Sequence, residues 1–154
     1  MTSTNKDTVL VVLQLSGGND FLNSIVPYSN PLYFDNRPNV RIPEDQVLPI
    51  NDHLGFNPNM APLKTLYDEG KVAIIQGVGY PNPNRSHFRS MDIWHTCEPE
   101  TMAVEGWLGR AIRDLDPLQE NVLTGVNFGR GLPRAVAVAG VPVASVGSLE
   151  SYGV

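Results

Sequence analysis

Residues 9–20, VLVVLQLSGGND, constrain the chain more than any other stretch. A short β-branched run without polar alternation reads as a strand covered on both faces, which is the habit of strands in a parallel sheet. Two glycines and the polar pair Asn19–Asp20 follow it directly, so the expectation is a tight turn at a sheet edge that turns a carboxamide and a carboxylate outward. Residues 72–76, inside KVAIIQGVGY, read as a second buried strand. Between the two lies NMAPLKTLYDEG, where Met60, Leu63, Leu66 and Tyr67 fall at helical spacing. Pro62 suits the first turn there and Gly70 the C-terminal stop. Strand, connection, helix and strand in that order predict an α/β domain with a mainly parallel sheet flanked by helices.

The intervening residues 28–58 are dense in Pro, Asn and Asp and read as a long surface excursion. Past the second strand, Pro81 and Pro83 force an extended loop, and Ser86 is placed to cap a helix over about residues 87–96. EGWLGRAIRDLD follows as an amphipathic helix with Trp107, Leu108, Ala111, Ile112 and Leu115 on one face. Further strands are expected near 122–127 and 141–146, around a short segment after Pro133. The chain then stops at SLESYGV without a closing element, as the front portion of a larger domain would.

Composition narrows the function classes. A chain of 154 residues with 42% apolar content can bury a core, and a formal charge of −5 disfavours a nucleic-acid partner. The lone Cys97 excludes an internal disulfide and a multi-cysteine zinc site, and reads as a small buried hydrophobe. No apolar run reaches the roughly 20 residues of a membrane span. MTSTNKDTVLVV has no h-region or cleavage site, so the chain as given reads as cytoplasmic, or as already stripped of an export signal. Trp94 and Trp107 are simplest as core, and His53 and His95 as structural or solvated.

In an open parallel sheet ligands bind beyond the carboxyl ends of the strands. Ser16, Gly17, Gly18, Asn19, Asp20 and Asn23 follow the first expected strand; Asn84, Arg85, Ser86 and His87 follow the second. If the two strands are neighbours, these clusters converge. Asp20 could then give a hard oxygen to a divalent ion, and Ser86 would sit in the anion-favouring field of a helix start. The plainer reading makes Asn19 and Asp20 turn or cap residues, Ser86 a cap only, and His87 a hydrogen-bonded structural histidine.

Two resemblances bear on the choice. SGGND at 16–20 resembles the phosphate loop of ATP pyrophosphatases, Ser-Gly-Gly-x-Asp-Ser, but position 21 is Phe where that loop ends in a hydroxyl. Over nearly the whole chain, LQLSGGNDFLNSIVPY, NPNMAPLKTLYDEGKVAIIQGVGYPNPNRSHFRSMDIWHT, GWLGR and LPRAVAVAGVPVASV resemble the amino-terminal part of the bacterial family called domain of unknown function 1501. That family is similar to the alkaline phosphatase and sulfatase superfamily. The resemblance implies an alkaline-phosphatase-like sandwich and metal-dependent hydrolysis of a small phosphate or sulfate ester. It implies Asp20 as a ligand of a divalent metal (zinc, manganese or calcium) with Asn19 and Asn23 beside it. Ser86 would be the nucleophile, with Arg85 and His87 orienting the transferred group.

The chain departs from the pattern in places. Ser86 stands next to His87 rather than several residues before it, Asn57 stands where family members often carry His, and the superfamily's carboxyl-terminal Asp and His ligands have no counterpart. The resemblance therefore implies a front portion that is inactive alone. It also leaves open a non-catalytic binding or secretion-associated module, in a family whose members are often exported.

Overall fold

Tyr33, Val47 and Phe56, all inside the stretch expected to be a surface excursion, are among the most deeply buried side chains of the protein. A computed structural model describes residues 8–15 and 17–148, so residues 1–7, Ser16 and the LESYGV end lie outside the described residues. The chain divides into two units, Met1–Gln76 and Gly77–Val154, each described by itself. Its architecture is mixed α/β, with helices and two small sheets.

In the first unit α1 (Phe21–Ser24) leads directly into β1 (Ile25–Val26). Asn30 caps α2 (Pro31–Asn36) by accepting the Leu32 amide at 3.0 Å, and Pro31 fills the first helical position, where its missing N–H costs nothing. A 3-10 turn (Glu44–Gln46) then precedes β2 (Leu48–Pro49) and β3 (Gly55–Phe56). The three strands form an antiparallel sheet in the order β1-β3-β2, pairing Ile25 and Leu48 on either side of Phe56. Val26, Tyr33 and Val47 bury together, with Leu22, Tyr28, Phe34 and Ile42 packed around them. Each of these buried side chains is worth about 1.5–3 kcal/mol in apolar transfer. Residues 28–58 are thus the centre of this unit, not an excursion. Their Pro and Asn residues cap and turn short elements that the core then holds.

After a 3-10 turn (Pro58–Met60) comes α3 (Ala61–Asp68), the helix predicted from NMAPLKTLYDEG. Pro62 lies in its first turn, and Gly70 ends it at φ +71, a left-handed conformation that glycine adopts without strain. Tyr67 meets Phe56 edge-on at 5.7 Å.

The two expected buried strands are corrected. Residues 9–15 and 72–76 form no ladder among the described residues. Val9, Val11 and Leu13 are each 80% or more exposed. An apolar run becomes a buried strand only when neighbouring strands complete a ladder with its backbone and cover both faces.

In the second unit α4 (His87–Thr96) has the predicted bounds and the predicted Ser86 cap, and α5 (Trp107–Leu115) is the predicted amphipathic helix. A 3-10 turn (Arg134–Val136) packs against both. The core here is Ile93, Ile112 and Ala135, with Thr96 fully buried and its hydroxyl donating to the Asp92 carbonyl at 2.9 Å. α5 approaches the turn closely because it carries Gly109, where a Cβ would stand 2.6 Å from the Val136 carbonyl oxygen. The helix accordingly presents Gly109 and Ile112 inward, and Leu115, expected on the buried face, is 77% exposed. Trp94 is likewise exposed, one position round α4 from the buried Ile93. Cys97, expected to be buried, takes a left-handed φ of 56 as the C-cap of α4 and faces solvent.

β4 (Val126–Phe128) and β5 (Ala144–Val146) pair in parallel, with Val126 opposite Ala144, inside or beside the windows expected at 122–127 and 141–146. Asn127 secures the pair by donating to the Ser145 hydroxyl and the Gly131 carbonyl, each at 2.9 Å. The parallel ladder is confined to these two strands among the described residues.

Candidate functional site

The polar cluster after residues 9–15 belongs wholly to the first unit. Asp20 is the N-cap residue of α1, but its side chain makes no capping bond; its carboxylate pairs instead with the guanidinium of Arg37. Asn23 is more deeply committed. Its carbonyl oxygen accepts the Tyr33 hydroxyl at 2.6 Å, its amide group donates to the Val40 carbonyl at 2.7 Å, and its backbone carbonyl accepts the Asn57 side chain at 2.7 Å. Asn19 accepts the Ser24 hydroxyl at 3.1 Å. Gly17 and Gly18 are both exposed, and the chain bends at Gly17.

These contacts decide how the implied metal fits. A divalent ion needs several oxygen donors turned to one point, at least one of them anionic. The anionic donor Asp20 already faces a fixed cation, which would repel a second one, and the Asn23 carbonyl is taken by Tyr33. As arranged, Asn19, Asp20 and Asn23 brace the unit and do not fit a divalent ion. Among the described residues no three His, Cys, Asp or Glu side chains gather into a metal-holding group.

The second cluster opens α4. Ser86 Oγ accepts the Arg89 amide at 3.4 Å, which places the hydroxyl at a helix N-terminus where unpaired backbone N–H groups favour negative charge. Asn84 shapes the approach: its carboxamide oxygen accepts the Ser86 amide at 2.7 Å, and its backbone carbonyl accepts the Ser90 hydroxyl at 3.0 Å. Arg85, Ser86 and His87 are all exposed, and among the described residues no carboxylate pairs with Arg85. The His87 ring meets the neighbouring Phe88 ring edge-on at 6.4 Å. A cleft of about 270 Å³ adjoins Asn84, walled by Tyr80, Asn82, Arg89, Ile93 and Glu100.

Two groups of residues escaped the reading from sequence. Arg37 was absorbed into the supposed excursion, although its place at the end of an Asn-Pro-started helix (NPLYFDNR) marks it as an ordered cation. In the second unit arginines hold the loop between α4 and α5. Arg89 donates to the Thr101 carbonyl at 2.6 Å; Arg110 donates to the Thr96 and Glu105 carbonyls at 2.8 and 2.9 Å; Arg134 donates to the Ala103 carbonyl. No local spacing signals these bonds.

The expected convergence of the two clusters rested on neighbouring strands at 9–15 and 72–76, which do not form. Asn19, Asp20 and Asn23 lie in one unit and Arg85, Ser86 and His87 in the other. The chain matches no family model, no curated protein and no solved structure.

Proposed function

We propose that the start of α4 is the site at which the intact domain binds and hydrolyses a small anionic ester, of phosphate or sulfate. The observation that carries this reading is the exposed run Arg85–Ser86–His87 at a helix N-terminus, with a cation that no carboxylate neutralises among the described residues. Helix N–H groups and Arg85 would hold the ester's anionic oxygens and offset the charge that grows on them in transfer. Ser86 Oγ attacks the phosphorus or sulfur as its proton passes to solvent, and the ester's oxygen leaves as the alcohol. Water then cleaves the seryl ester to release phosphate or sulfate, with His87 orienting the transferred group from the next position. No step is routed through Asp20 or a metal there. The same reading takes the fold as part of an alkaline-phosphatase-like sandwich with a mainly parallel sheet; the parallel β4–β5 pair is what supports that.

A second reading, a binding module without turnover, is favoured by one observation: the hydrogen bond recorded at Ser86 Oγ is a capping bond to a backbone amide, and no side-chain base touches it among the described residues. Hydrolysis of aryl phosphate and aryl sulfate by the native protein, Ser86→Ala and Ser86→Gly separates the two. Glycine is a tolerable cap that costs only a few tenths of a kcal/mol, so Ser86→Gly removes the hydroxyl and keeps the helix. Turnover lost in both variants supports the hydrolase. Turnover that survives in Ser86→Gly removes Ser86 from the chemistry, and saturable phosphate binding without turnover selects the binding module.

A further inference from the structure

We propose that the Asp20 loop is a cation site filled from within: Arg37 occupies the position a divalent ion would need, and so closes the loop to metal. The proposal stands on the first unit alone and is independent of the chemistry at Ser86. The Arg37 side chain is only 20% exposed, whereas that of Asp20 is 47% exposed, so the guanidinium is the fixed member and the carboxylate the one that comes to it. Arg37 is held in three ways. It is the C-cap residue of α2, its guanidinium lies over the Tyr33 ring at 5.8 Å, and Tyr33 is itself locked by hydrogen bonds to Asn23 and to the Ile42 amide.

Arg37 Nε is buried and finds no hydrogen-bond partner among the described residues. A cation partly withdrawn from water in that position leans on the carboxylate at its other end, because an unpaired charge away from water is costly. The carboxamide oxygens of Asn19 and Asn23 are already engaged, accepting the Ser24 and Tyr33 hydroxyls at 3.1 and 2.6 Å. Loss of the guanidinium would release the Asp20 carboxylate, an anionic oxygen donor that a hard divalent ion takes weakly. The cation that Asp20 serves in the native protein is Arg37.

The experiment is thermal unfolding of the native chain, Asp20→Asn, Arg37→Gln, Arg37→Lys and the double variant Asp20→Asn/Arg37→Gln, each with millimolar manganese, calcium or zinc. A ligand that binds the folded state raises Tm with concentration. The expected result is no Asp20-dependent metal shift in the native protein or in Arg37→Lys, which keeps the charge. Arg37→Gln should show a shift that its Asp20→Asn partner variant lacks. A native-protein shift that disappears in Asp20→Asn overturns the proposal, and so does an Arg37→Gln protein that folds and responds to no metal. Should Arg37→Gln fail to fold, the native and Asp20→Asn comparison decides alone: equal metal responses support the proposal and unequal ones overturn it.

Discussion

Arg134 pairs with Asp92, a residue 42 positions earlier in the middle of α4, through a 2.5 Å contact between Nη1 and Oδ1. Its other terminal nitrogen donates to the Ala103 carbonyl, so one side chain joins the 3-10 turn, the helix and the loop after it. Both partners are about one-third exposed, which screens the pair without removing its worth. Arg134→Met should lower the stability of the second unit by on the order of 1 kcal/mol. Urea unfolding followed by α4 amide exchange checks this, and an unchanged midpoint would show the pair to be idle.

Tyr33 offers a sharper case in the first unit. Its hydroxyl donates to Asn23 and accepts the Ile42 amide at 2.8 Å inside a 4%-exposed environment. Tyr33→Phe keeps the ring and leaves both partners without it, at an expected cost of about 1–3 kcal/mol. Equilibrium denaturation of the two proteins measures it directly. A loss under 0.5 kcal/mol, on the order of an ordinary surface substitution, would mean water replaces the hydroxyl freely.

Asp116, at the end of α5, gives the pH dependence. The Asn121 amide, at 2.9 Å, is the chief cause that holds its carboxyl below the ordinary value of 3.8; the Glu120 amide and the Thr124 hydroxyl add to this, against a smaller push upward from burial. A folded-state value lower than the unfolded one means its contribution is fully present above pH 3.8 and is lost as pH falls through the folded value. Asp116→Asn should therefore be less stable than the native protein near neutrality, with the gap narrowing on acidification below pH 3.8. Urea midpoints for both proteins along a pH series test the sign, and a gap that widens in acid would refute it.

The helices were legible in the sequence because their signals are local. Ser86 starts α4, Pro62 and Gly70 bracket α3, and the apolar spacing of GWLGRAIRDL marks α5. The core of the first unit was not, because nothing periodic connects Val26, Tyr33, Val47 and Phe56. What joins them is polar bracing over 10 to 34 positions, such as Asn23 to Tyr33 and Asn57 to Asn23. Residues 9–15 failed for the opposite reason: their pattern specifies burial, and burial depends on partners that the pattern cannot name. The same limit hid Arg37, whose pairing with Asp20 spans 17 positions and turns an apparent ligand into half of an ion pair. Ser86 kept its predicted place as the cap of α4.

The most direct test of the account is a titration of inorganic phosphate into the native protein and Arg85→Ala, followed by the amide resonances of residues 85–89. Arg85 is exposed and pairs with no carboxylate among the described residues, so its loss should leave the fold intact. The account predicts saturable shifts centred on Ser86 and His87, with affinity falling roughly tenfold, about 1.4 kcal/mol, in Arg85→Ala. Resonances that stay still in the native protein, or affinities equal in the two, would contradict an anion site at the start of α4.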